Sequence, residues 1–132
     1  MKSTSLIAIV LTSSLSVADA NDIDNMLAGY MDMGATGFSA ERGKLLWTKT
    51  HIIDGEQRTC SSCHTANPAI PGKHVKTGKP IEPIALSANP ERFTDVAKTE
   101  KWFRRNCKWT LGRECTPQEK GDLVSWLAGR QE

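Results

Sequence analysis

Cys60-Ser61-Ser62-Cys63-His64 decides the fold of this chain. C-x-x-C-H is the attachment site of a c-type haem: the two thiols add across the haem vinyl groups, and the imidazole that follows lies within reach of the iron as its proximal axial ligand. A bare C-x-x-C also serves as a redox dithiol or as half of a zinc site. The first expects a βαβ context and the second a further Cys/His pair at zinc-finger spacing, and neither accompanies the motif. Cys60, Cys63 and His64 are therefore assigned to one covalently bound haem c, with His64 on its iron.

Upstream, the chain opens with Met1-Lys2, runs through mainly apolar residues 6–17 and reaches Ala18-Asp19-Ala20, an A-x-A cleavage site. This reads as a secretory signal peptide over residues 1–20. The apolar run is interrupted by Thr12, Ser13, Ser14 and Ser16 and is shorter than the ~20 residues of a membrane-spanning helix, so no stable membrane insertion is expected after cleavage. Residues 21–132, 112 of the 132, are left as one small domain. Export agrees with the cysteines: Cys60 and Cys63 go to haem, while Cys107 and Cys115 remain as a pair for an oxidising compartment, read as a bacterial periplasm. In so short a domain the haem and a disulfide supplement a limited apolar core.

Helical signals flank the motif. Ile23, Met26, Leu27, Tyr30 and Met31 fit a short amphipathic helix. Ser39 can N-cap a helix with Glu41 in its first turn and Gly43, Leu46 and Trp47 on one face. The run to Thr59 then reads as a loop. Residues 67–90 hold five of the six prolines (Pro68, Pro71, Pro80, Pro83 and Pro90), so continuous helix is blocked and an irregular loop should wrap the haem, with a short strand over 81–86 as the one alternative. Helical pattern resumes near Thr94 and Asp95, with Val96, Thr99, Trp102, Phe103 and Asn106 near one face and a break or recapping allowed at Thr99. Thr116, Pro117 and Glu119 form a capping box for a last helix with Leu123, Trp126 and Leu127 as its buried stripe and Gly129 at its end. No β pattern competes, so the fold expected is all-α, a small cytochrome c-like domain around one haem. Gly43 and Gly121 suggest that the first and last helices cross closely.

The formal charge of +2 with scattered cations excludes a nucleic-acid binder. Locally, Lys98, Lys101, Arg104, Arg105, Lys108 and Arg113 outnumber Glu100 and Glu114, a pattern open to three readings: a solvated helix face, a docking surface, or contacts to haem propionates. The sixth iron ligand is the functional question. The Met that commonly stands opposite the proximal His is missing after the motif, since Met1, Met26, Met31 and Met33 all precede it. Candidates are His74, several lysines, Asn67, Asn89, Asn106, or no protein ligand at all. His74 sits in a basic run suited to the surface, and His51 on a probable helix end. Asn106 shares a helix face with Trp102 and Phe103, aromatics suited to covering a porphyrin, and is equally suited to capping a helix C-terminus. Cys107, next in sequence, can bond to Cys115 across a short loop.

Asn89-Pro90-Glu91-Arg92-Phe93-Thr94-Asp95, Lys101-Trp102-Phe103-Arg104-Arg105-Asn106-Cys107-Lys108-Trp109 and residues 111–122 resemble the sphaeroides haem protein (SHP) family of periplasmic monohaem cytochromes c. The resemblance covers most of the chain from the first capped helix onward. It implies haem thioethers at Cys60 and Cys63, His64 as proximal ligand, Asn106 as distal ligand and a Cys107–Cys115 disulfide near the haem. The amide oxygen of Asn is a hard donor, better matched to ferric than to ferrous iron. Reduction would release it and admit O2, NO or CO, with a di-haem cytochrome c implied as redox partner. An enzyme acting on O2, NO, peroxide or small nitrogen oxides, and a closed low-spin bis-His carrier, are the competing readings; an electron carrier that binds diatomic ligands is favoured over a dedicated enzyme.

Overall fold

The computed structural model describes residues 20–130, so the expected signal peptide lies outside the described residues except for Ala20. Five helices carry the fold: α1 (Ala20–Asp32), α2 (Ala40–Thr48), α3 (Ser61–His64), α4 (Val96–Leu111) and α5 (Pro117–Leu127). None is long and apolar enough to cross a membrane. Caps set the ends of the longer ones. Ser39 accepts from the Arg42 N–H, Asp95 from that of Lys98, and Thr116 with Glu119 closes the expected capping box.

α5 is the hub, packing on both α1 and α2. Its Leu123, Val124 and Leu127 meet Ile23, Met26 and Tyr30 of α1, Trp47 of α2, and Ala35, Phe38 and Phe93 from the connections. Each large apolar side chain so buried contributes about 1.5–3 kcal/mol against exposure. Gly43 makes the α2–α5 crossing possible, because a Cβ there would lie 2.2 Å from the Asp122 carbonyl oxygen. Gly121 is needed for another reason: a Cβ there would meet the ring of Phe38, in the α1–α2 connection, at 2.0 Å. Asp122, buried at the crossing, accepts from the Ser39 N–H and from Nε and Nη2 of Arg42, each at 2.8 Å. Met31 is exposed and Trp126 only half-buried, so both stripes are narrower than expected.

The helical fold acquires two antiparallel ribbons that the periodicity did not predict. β1 (His51–Ile53) pairs with β2 (Glu56–Arg58) where a loop was expected, and β3 (Gly72–Lys73) pairs with β4 (Pro80–Ile81), so the expected strand over 81–86 shrinks to its first residue and starts one earlier. The first turn is Asp54-Gly55, with φ of 53° and 78°, the doubly left-handed geometry that Asp-Gly favours in a two-residue hairpin. Beyond β4 the proline-rich segment is irregular, as expected. α4 runs unbroken through Thr99, whose hydroxyl donates to the Asp95 carbonyl instead of recapping the helix.

Candidate cofactor site

α3 is one turn long and, with Cys60 as its N-cap residue, carries the motif. Thr59 starts it: its hydroxyl accepts from the Ser62 N–H at 2.9 Å and hydrogen-bonds the hydroxyls of Ser61 and Ser62. The His64 N–H closes the turn on the Cys60 carbonyl at 3.2 Å. Thr65 then turns the chain sharply with φ of 64°, and the Trp47 indole N–H donates to its carbonyl at 2.8 Å. From the other side Gly72 lies so close that a Cβ on it would be 2.1 Å from the Cys63 carbonyl oxygen. Trp47 and Gly72 together fix the backbone that presents both thiols and the imidazole.

The His64 ring lies 5.3 Å from that of Trp47, centroid to centroid. Burial and then the charge of Arg92 hold its pKa below the ordinary value, so the imidazole is neutral, the form that binds a metal. Arg92 is itself oriented by Nε donating to the Pro83 carbonyl at 3.0 Å. Cys60 and Cys63 are both half-buried and take no part in the disulfide. Burial pushes the Cys60 thiol up to about 11, against the opposing effect of the Thr110 hydroxyl beside it.

That contact ties the motif to α4. Thr99, Phe103, Asn106 and Thr110 follow one another at i, i+4, i+7 and i+11, one face of the helix, with Asn106 one turn before Thr110. Asn106 is exposed and Phe103 half-buried at the edge of the core. Trp102 lies on the flank of this face, 44% exposed, with the Arg105 guanidinium 5.0 Å from its ring. Cys107 and Cys115 are disulfide-bonded, both buried, and join the last turn of α4 to the start of α5. His74 stands apart as an exposed residue of the β3–β4 turn, where its Nδ1 accepts from the N–H groups of Lys76 and Thr77 at 3.3 and 3.2 Å. His51, on β1, is neutral because burial lowers its pKa, followed by the charges of Lys49 and Arg113.

The donor set fits a covalent haem c. Two thiols and a neutral imidazole share one helical turn, and among the described residues no group of three or more His, Cys, Asp or Glu could hold a bare metal ion, so the zinc reading of C-x-x-C has no partners. Three supporting residues escaped sequence reasoning: Gly72, Thr110 and Arg92. A glycine in a proline-rich loop, a threonine late in a helix and an arginine in a turn carry no signal without the third dimension.

Residues 33–127 match a family model described as a domain of unknown function, DUF1924. The chain is 45% identical over 107 residues to the cytochrome c-type protein SHP of Cereibacter sphaeroides, covering 80% of this chain and 81% of that protein. The structure of oxidised SHP, described as an oxygen-binding cytochrome c, aligns with a TM-score of 0.76 at 42% identity over 82% of this chain and 96% of the other. The solution structure of cytochrome c″ from Methylophilus methylotrophus, presented for its insight into haem-ligand detachment, aligns with a TM-score of 0.75 at 31% identity over 86% and 98%.

Proposed function

The chain belongs to the SHP family of monohaem c-type cytochromes, and from that membership we propose that it is a periplasmic electron carrier whose distal ligand, Asn106, leaves on reduction and admits a diatomic ligand. Its cofactor is one covalently bound haem c. When bound, that group supplies one-electron redox chemistry and, at an open axial position, affinity for O2, NO or CO.

The protein's residues divide the remaining work. Cys60 and Cys63 would hold the group through thioether bonds, and His64 would give a nitrogen ligand to the iron, its pKa held below the ordinary value by burial and by Arg92. Trp47 orients His64 through the Thr65 carbonyl. Asn106 would offer an amide oxygen to the iron, a donor whose preference for ferric over ferrous iron would supply the differential affinity that a two-state gate requires. Phe103, and Trp102 at the flank, cover the macrocycle, and the Cys107–Cys115 disulfide anchors the helix that carries Asn106. The redox partner is another protein, a di-haem cytochrome c by family resemblance.

One observation carries the Asn106 assignment: it lies one turn from Thr110 on the α4 face that reaches Cys60. The engagement of His74 Nδ1 by its own turn weighs against the closed bis-His carrier. The test is optical and electron-spin-resonance spectroscopy of the holoprotein in both oxidation states, with CO added to the reduced form. High-spin or mixed-spin ferric iron with rapid ferrous CO binding, and a changed ferric spectrum in Asn106→Val with attachment intact, are expected. Low-spin iron in both states without CO uptake, or an unchanged ferric spectrum in the variant, overturns the gate.

A further inference from the structure

The side of α4 turned away from Asn106 has a use that electron carriage through the haem face leaves unassigned. Lys98, Lys101, Arg104, Arg105 and Lys108 are all exposed and fall on the half of the helix opposite Thr99, Phe103, Asn106 and Thr110. Among the described residues no carboxylate lies within 4.0 Å of the first four, and Lys108 reaches only Glu114, at 3.8 Å. The one carboxylate at i, i+4 spacing to the stripe, Glu100 four residues before Arg104, pairs with Lys120 instead, so the stripe lacks the partners that ordinarily accompany cations on a solvated helix. Instead Lys98–Lys101, Lys101–Arg104, Lys101–Arg105, Arg104–Lys108 and Arg105–Lys108 are like-charge pairs three or four residues apart, an arrangement that weakens the helix. The acidic residue of the segment, Glu100, faces inward, where it accepts from Tyr30 and pairs with Lys120 at 2.6 Å. The one carboxylate within α4 itself is thus turned away from this surface.

We propose that this stripe is the docking surface for the protein's redox partner, and that the partner presents an acidic face to it. The inference rests on the carrier reading above. An anionic surface relieves the repulsion along the stripe and steers encounter over a length of about 15 Å, ten residues of helix. It also seats the partner on the back of the helix that bears the distal ligand. A protein is favoured over an anionic lipid surface because the exposed aromatic residue beside the stripe, Trp102, has the Arg105 guanidinium 5.0 Å from its ring and so does not stand free to insert into a bilayer.

The test uses nitrogen-15-labelled ferric holoprotein titrated at low ionic strength with oxidised flavodoxin, an acidic electron-transfer protein, alongside stopped-flow reduction by reduced flavodoxin. Two variants remove equal charge: Lys98→Glu/Lys101→Glu/Arg104→Glu in the stripe and Lys44→Glu/Lys76→Glu/Lys79→Glu elsewhere on the exposed surface. The expected result is amide shifts concentrated in 98–108 and a second-order rate roughly 10-fold slower in the stripe variant alone, with the difference lost at high salt. Equal slowing in both variants, or shifts spread over the surface, overturns the proposal, as does loss of binding to phosphatidylglycerol vesicles in the stripe variant with flavodoxin binding unchanged. The ferric spectrum of each variant reports folding. A low-spin parent protein that never binds CO would sink the Asn106 gate while leaving the docking result standing.

Discussion

Replacing Gly72 by Ala should damage the cofactor site without touching a single ligand. The new Cβ would stand 2.1 Å from the Cys63 carbonyl oxygen, 2.9 Å from His64 Cα and 3.0 Å from the Cys63 carbonyl carbon. All three are backbone atoms, so no flexible side chain can swing aside, and β3 or α3 must retreat by about 1 Å to restore ordinary contact. Overpacking of this kind costs about 1–3 kcal/mol. Gly72 has no left-handed backbone to complicate the reading. With a guanidinium slope near ~4 kcal/mol/M for a domain of this size, the unfolding midpoint of the ferric holoprotein should fall by roughly 0.5 M, followed by far-UV circular dichroism. The Soret band should move as well, because metal–ligand distances tolerate only about 0.2 Å. An unchanged midpoint together with an unchanged Soret band would refute the argument that Gly72 is required by close approach to the motif.

Gly29→Ala is the opposite case: nothing lies within 4 Å of its Cβ position inside α1, so the variant should gain about 0.5–1 kcal/mol in the same unfolding assay. Opening the disulfide with Cys107→Ser/Cys115→Ser should cost roughly 2.5 kcal/mol by loop-closure entropy, again read from the midpoint. Glu119 is held below the usual carboxylate range by the Arg113 guanidinium first and then by the Thr116 N–H, against the opposing effect of burial. A depressed folded-state pKa gives stability that is present above the unfolded value of about 4.3 and lost as pH falls through the folded one. Thermal melts below about pH 5 should therefore drop less steeply in Glu119→Gln than in the parent, although the variant starts about 1 kcal/mol lower at neutral pH through loss of the cap.

The helices were legible because their ends are chemical. Ser39 and Thr116 each cap the helix the sequence assigned to them, Asp95 caps the helix whose start it was expected only to strengthen, and Pro117 with Glu119 marks the start of α5 to the residue. The β1–β2 hairpin was missed although Asp54-Gly55 is the turn pair that announces one. Its strands are three residues long, and although burial alternates along β1, the adjacent Ile52 and Ile53 leave no apolar–polar alternation in the sequence. Gly121 was correctly read as a close approach, but its neighbour is Phe38, from a connection rather than a helix. In the site, C-x-x-C-H announced itself because its ligands are adjacent in sequence. Thr110 and Gly72 reach the motif only through α4 and the β3–β4 ribbon, across separations that no local pattern encodes.

Mechanically, α4 is a beam clamped at two points. Glu100 is tied to Tyr30 of α1 and Lys120 of α5, and Cys107 is bonded covalently to Cys115. At a rise of about 1.5 Å per residue those clamps are about 10 Å apart, and Asn106 sits just inside the second. A short helix pinned in this way bends only by breaking its own hydrogen bonds, so Asn106, if it is the distal ligand proposed above, would leave by rotating about its side-chain bonds while the backbone stays still. Such a rotation belongs to the picosecond-to-nanosecond range of rotamer motion. In the proposed gate the moving part would then be a single carboxamide, and its speed would be governed by the strength of one bond to iron and not by any rearrangement of the protein around it.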